Sequence, residues 1–95
     1  MSPKVRATIV DRSLLIGQAI ACRVAQDRIG RVRTLHAASV DEITSDGQAA
    51  KLTEEMIRLA NVQEQKLGTR RCDVISSAFA GLEKLLSARV RTAGF

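Results

Sequence analysis

The 95-residue sequence predicts a mostly α-helical protein: an N-terminal arm and helix over residues 1–44, then a helical hairpin or one long bent helix over residues 45–95. Three observations predict it. Apolar residues recur at spacings of three and four through the C-terminal half, the period of a helix with one buried face. Pro3 is the sole proline, so nothing breaks the chain after its first residues. Aromatics are only 2% (Phe79 and Phe95), which leaves an aliphatic core and argues against sandwiches, barrels and base-stacking nucleic-acid modules. With 45% apolar residues the chain can bury a core, and its length fits one small domain or one assembly subunit.

The N-terminal arm has two readings. Over Lys4–Val10, Val5, Ala7 and Ile9 alternate with Lys4, Arg6 and Thr8, the spacing of a strand, and Val32–His36 is also strand-compatible. Between them, Leu15, Ile16, Ala19, Ile20 and Val24 recur as on a helix over 13–29. A βαβ start is therefore the alternative to an arm with one helix. In that reading Ile9-Val10-Asp11 resembles the opening of a receiver domain, which implies a degenerate, receiver-like signalling domain. Arg12 stands where such a domain carries a second acid, and no later strand ends in a phosphate-accepting Asp.

Ser45-Asp46-Gly47-Gln48 fits a capping box that opens the next helix. Leu52, Met56, Leu59 and Leu67 then share a face, with Glu54 and Arg58 as a supporting pair four residues apart. Gly68 is a natural stop, with Thr69 as the following cap. Arg70 and Arg71 oppose the dipole of a new helix, which keeps a continuous bent helix open as the alternative. The last helix has the clearest pattern: Val74, Ile75, Ala78, Phe79, Leu82, Leu85 and Leu86 form an apolar stripe, with Asp73, Ser76, Ser77, Glu83, Lys84 and Ser87 largely on the other side.

Catalytic chemistry finds no foothold. His36 is the one histidine and has no Ser, Cys or acid at a suggestive spacing, so it reads as a solvated or capping residue. Asp41-Glu42 reads as a helix start and Glu54-Glu55 as a solvated face, because adjacent carboxylates diverge on a helix. No glycine-rich phosphate loop and no metal-ligand spacing occurs, so the expectation is a non-enzyme with no cofactor and no metal. Cys22 and Cys72 read as two small buried thiols in a reducing compartment, with one disulfide as the alternative. Neither a cleaved secretory leader nor a membrane span is expected.

The net charge is +5, distributed as +3, −1 and +3 over residues 1–44, 45–68 and 69–95. Arg28, Arg31 and Arg33 cluster, as do Arg70-Arg71 and Arg89 with Arg91. A small basic helical nucleic-acid-binding protein is thus the rival reading, resting on charge alone because no base-reading side chains are evident.

The order of the short motifs resembles the inner-rod protein of type III secretion systems, the virulence-associated injectisomes related to the flagellar rod. Ala7-Thr8-Ile9-Val10 followed by Ile16-Gly17-Gln18-Ala19 is similar to the family's N-terminal segment. Asp46, then Glu55-Met56-Ile57 and Asn61, is similar to its penultimate helix, and Leu82-Glu83-Lys84-Leu85-Leu86 to its C-terminal segment. The resemblance covers the two ends, and residues 20–45 have no counterpart. It implies a structural axial subunit, made in the cytoplasm and exported by the type III machinery into the channel across the bacterial envelope. The implied partners are further copies in a helical homo-oligomer, the needle subunit and export-apparatus proteins. On that reading Val74, Ile75, Ala78, Phe79, Leu82, Leu85 and Leu86 carry the subunit contacts, while Glu83 and Lys84 set orientation by polar pairing.

Overall fold

A computed structural model describes residues 2–43, 47–68 and 70–94, with residues 41–43 and 89–94 described by backbone alone. The chain is mostly α, as expected. Its helices are α1 (Pro3–Ala21), α2 (Gln26–Ile43), α3 (Gly47–Leu67) and α4 (Cys72–Gly94), and there is no strand among the described residues.

The N-terminal segment is helical from Pro3 onward. Ser2 caps α1, its Oγ accepting the Val5 N–H at 3.2 Å, and Pro3 occupies the first turn, where its missing N–H costs nothing. Ile9, Ser13, Ile16, Gly17 and Ala19 are buried, a helical stripe, whereas Ala7, which a strand would bury beside Val5 and Ile9, is exposed. The second strand-compatible segment is likewise helical. Among the described side chains of α2, Ile29, Val32, His36, Ser39 and Val40 are buried, and Thr34 faces out. No receiver-type sheet forms among the described residues.

The turn between α1 and α2 closes on an unusual residue. Arg23 N–H donates to the Ile20 carbonyl (3.0 Å) and Val24 N–H to the Ala19 carbonyl (3.1 Å), the paired bonds of a Schellman motif. Its left-handed position is filled by Arg23 at φ 61° rather than by glycine. The α3–α4 turn uses the usual solution: Gly68 has φ 80° and ends α3, so α3 and α4 are separate helices rather than one bent rod. The Ser45 capping box lies outside the described residues, as does Thr69.

α1 packs against all three other helices, most extensively against α3. α3 and α4 thus both lean on α1, rather than chiefly on each other as in a hairpin. At the α1–α3 crossing a Cβ on Gly17 would collide with the Ile57 carbonyl oxygen and lie 2.7 Å from the Ala60 Cβ. Such an approach leaves no room for a side chain on residue 17 and sets the small Ala60 opposite it. The buried residues of α3 are Ala49, Ile57, Ala60 and Glu64, while Leu59 and Leu67, expected to share a face with Leu52 and Met56, are exposed. Glu54 is bound by Arg33 of α2 instead of forming the expected pair with Arg58.

Larger side chains fill the rest of the bundle. Ile16, Ala19, Ile29, Val32, Ile57, Ile75, Phe79, Leu82 and Leu86 form one cluster, and Ile9, Val40 and Ala49 a second. The cysteines are joined, correcting the expectation of free thiols: Cys22 at the C-cap of α1 is bonded to Cys72, the first residue of α4, with Cα atoms 5.5 Å apart. Closing a loop across 50 residues stabilises the fold by about 4 kcal/mol in the chain-entropy account.

Two substitutions test these turns and crossings. Gly17→Ala is expected to destabilise the oxidised protein by about 3 kcal/mol, because both backbones must move apart. Arg23→Gly is expected to stabilise it by about 0.5–1 kcal/mol, since relief of the left-handed strain exceeds the added freedom of the unfolded chain. Urea denaturation of each variant measures both.

Candidate functional site

The apolar stripe of α4 divides into two rows. Ile75, Phe79, Leu82 and Leu86 are 8% exposed or less and belong to the chain's own core. These four, expected to carry subunit contacts, thus pack within the chain against α1 and α2. Val74 and Leu85 are 72% and 51% exposed, and Ala78 is exposed between them. With Gly81, also exposed and with open space around it, these residues form a second row spaced four, three and four. It runs beside the buried row, displaced by one residue and hence by about 100° around the helix. The sequence carries this signal, two parallel rows offset by one, but merges them into one wide stripe.

The polar residues of α4 separate in the same way. Glu83 is taken by Arg28 of α2, whose Nε and Nη2 donate to the two carboxylate oxygens at 3.1 and 2.8 Å. The hydrogen bonds from Arg28 hold the Glu83 carboxyl below the usual carboxylate range and raise Arg28 above its ordinary value. The same guanidinium lies 5.6 Å from the Phe79 ring centre, a cation–π contact above the core. Glu83, expected to pair between subunits, therefore pairs α4 with α2 within the chain. Lys84 is exposed beside the second row.

Two further ion pairs join the elements. Arg33 binds Glu54 across α2 and α3, and Arg71 at the entry to α4 binds Glu64, which is 2% exposed. Arg71 thus has its charge compensated where the helix dipole opposes it. Three of the cations that suggested a nucleic-acid surface are committed to carboxylates of the chain itself.

His36 is buried, at 1% exposure, rather than solvated. Its Nε2 lies 3.2 Å from Thr53 Oγ1 of α3, and its Nδ1 has no partner among the described residues. Burial, and then the positive charge of Arg12, push its pKa down to about 4, so the ring is neutral at neutral pH. It borders a cleft of about 120 Å³ between α2 and α3, lined also by Ala37, Val40, Ala49 and Ala50. Arg12 Nη1 donates to Ser39 on the same side of α2, at 3.3 Å. The side chains of Asp41 and Glu42 lie outside the described residues, and Glu54 and Glu55 are exposed, as expected of a solvated face. Among the described residues no group of His, Cys, Asp and Glu side chains converges to hold a metal ion. No described helix is long and apolar enough to cross a membrane.

Comparison with models of known protein families, with curated proteins and with solved structures found no match.

His36 makes stability pH-dependent. The unfolded chain takes up a proton as pH falls through about 6.5, whereas the folded chain resists until about 4. Stability present at pH 7 is therefore lost on acidification, by about 2 kcal/mol between pH 7 and pH 5. Denaturant titrations at the two values are expected to show this loss, and His36→Gln to abolish most of it.

Proposed function

We propose that the chain is a non-catalytic helical assembly subunit that binds further copies of itself through the exposed row of α4, Val74, Ala78, Gly81 and Leu85. The observation that carries this reading is the row itself. Two large apolar side chains stand in solvent on a helix whose neighbouring row is already sealed into the core. Ala78 and Gly81 between them let another helix approach closely, and the spacing matches the seam of a helix pair. Complete burial of Val74 and Leu85 contributes about 1–2 kcal/mol for each side chain.

The finer form of the proposal is an inner-rod subunit of a type III secretion apparatus, packed in a helical array beneath the needle subunit and against export-apparatus proteins. It rests on the motif resemblance at the two ends of the chain. The disulfide supports a place of action beyond the reducing cytoplasm, since such bonds persist in oxidising compartments. Exposed Leu59, Val62 and Leu67 on α3 offer additional apolar surface for contacts in an array.

Leu85→Asp and Leu82→Asp separate the two rows. Sedimentation of the wild type is expected to show concentration-dependent self-association. Leu85→Asp is expected to abolish association with little change in melting temperature, whereas Leu82→Asp, at 8% exposure, is expected to unfold the chain. A wild type that stays monomeric at millimolar concentration removes the assembly reading. Sub-micromolar duplex DNA binding with a steep salt slope favours the basic rival instead. Retention of a needle subunit by wild type and its loss in Leu85→Asp tests the rod form.

A further inference from the structure

We propose that the Cys22–Cys72 bond is a reducible clasp on the first turn of α4, in which Cys72 is the sulfur that leaves as a thiolate. The two sulfurs sit at opposite helix poles. Cys22 is the C-cap of α1, where the dipole is negative, and it packs against the apolar core. Cys72 is the first residue of α4, where the dipole is positive, directly after Arg70 and Arg71. Arg71 is partly neutralised by Glu64, and the exposed Arg23 and Asp73 act in the opposite sense from the flanks. The dipoles and the apolar surroundings of Cys22 still favour negative charge on Cys72.

The bond is the covalent anchor of the first turn. Asp73, Val74, Ser76 and Ser77 are all exposed, so besides the disulfide this turn is held by buried Ile75 and, just before it, by the pairing of the exposed Arg71 with Glu64. The heavier anchors, Phe79, Leu82 and Leu86, lie further along, and the Arg28–Glu83 pair fixes that region to α2. Loss of the clasp thus releases the turn while the remainder of α4 stays docked.

The reductant is a thiol. With a dithiol, one thiolate attacks Cys22 Sγ, the disulfide breaks, and its electron pair leaves on Cys72 Sγ. The second reductant thiol, after losing its proton to water, displaces Cys22 and closes the reductant's own disulfide. The dithiol loses two electrons and the chain gains two; Cys22 takes up a proton while Cys72 remains a thiolate. Attack falls on Cys22 because exchange proceeds faster when the sulfur expelled is the more acidic.

Glutathione, a monothiol, traps the first step. Incubated with the oxidised protein and quenched in acid, it is expected to appear as a mixed disulfide on Cys22 in peptide mass spectra. The alkylation rate of Cys22→Ser is expected to report a Cys72 thiol at least one pH unit more acidic than the ordinary value of about 8.5. After full reduction by dithiothreitol, the amides of Ile75 and Ser76 are expected to exchange at least tenfold faster than those of Leu82 and Leu86. In the oxidised protein the four are expected to be protected alike. A mixed disulfide chiefly on Cys72, a Cys72 thiol at or above 8.5, or exchange that accelerates equally along α4 would overturn the proposal. Unfolding of the whole chain on reduction, or of Cys22→Ser itself, would also overturn it.

Discussion

At Gly17 the backbone of α1 approaches the Ile57 carbonyl of α3 too closely for any side chain, and this contact fixes how near the two most extensively packed helices lie. Where the axes are nearest, the residue of α3 that faces Gly17 is the small Ala60, while Ile57 and Glu64 are buried beside it. Of its larger apolar residues, Ile57 and Leu52 pack inward and Leu59, Val62 and Leu67 turn outward. The bulky core is gathered where α2 and α4 meet α1, around Phe79, Ile29, Val32, Leu82 and Leu86. The close approach at Gly17 thus sits at the edge of a conventional aliphatic core, to which α3 contributes Ile57.

Charge is deployed to position the helices. Arg28–Glu83 links α2 to α4, Arg33–Glu54 links α2 to α3, and Arg71–Glu64 ties the entry of α4 to the end of α3. The first also places a cation over the Phe79 ring, so the electrostatic joint and the apolar core share one location. Exposed ion pairs such as Arg33–Glu54 contribute little energy, but each favours one mutual placement of two helices over its neighbours. The disulfide adds a covalent joint at the corner where α1 ends and α4 begins. Buried His36 has the reverse character: its neutral form suits the α2–α3 contact, and its charged form does not.

The relation between the two rows of α4 connects architecture to the proposed assembly. A helix in a small bundle has neighbours on only part of its circumference. The row Ile75–Phe79–Leu82–Leu86 consumes the neighbours available within the chain, and the row Val74–Ala78–Gly81–Leu85 is left in solvent. The same division explains why Glu83, adjacent to Leu82, pairs inside the molecule while Lys84, adjacent to Leu85, remains at the surface.

Helical class, the break at Gly68 and the apolar character of α4 were legible in the amino-acid sequence, because they depend on local period and on the conformational freedom of single residues. The N-terminal helix was ambiguous because Val5 and Ile9 belong equally to a two-residue and a four-residue period; the Ser2-Pro3 start resolves it locally, and burial of Ser13 and Gly17 resolves it globally. What only the tertiary structure decided were the pairings: Cys22 with Cys72, Glu83 with Arg28, Glu54 with Arg33, His36 with Thr53. Each joins residues 17 to 55 positions apart, and their proximity is set by how three helices lean on α1. A one-dimensional pattern reports which face of a helix is apolar. Which part of that face meets the chain's own core, and which part meets water, depends on how α4 is seated against α1 and α2.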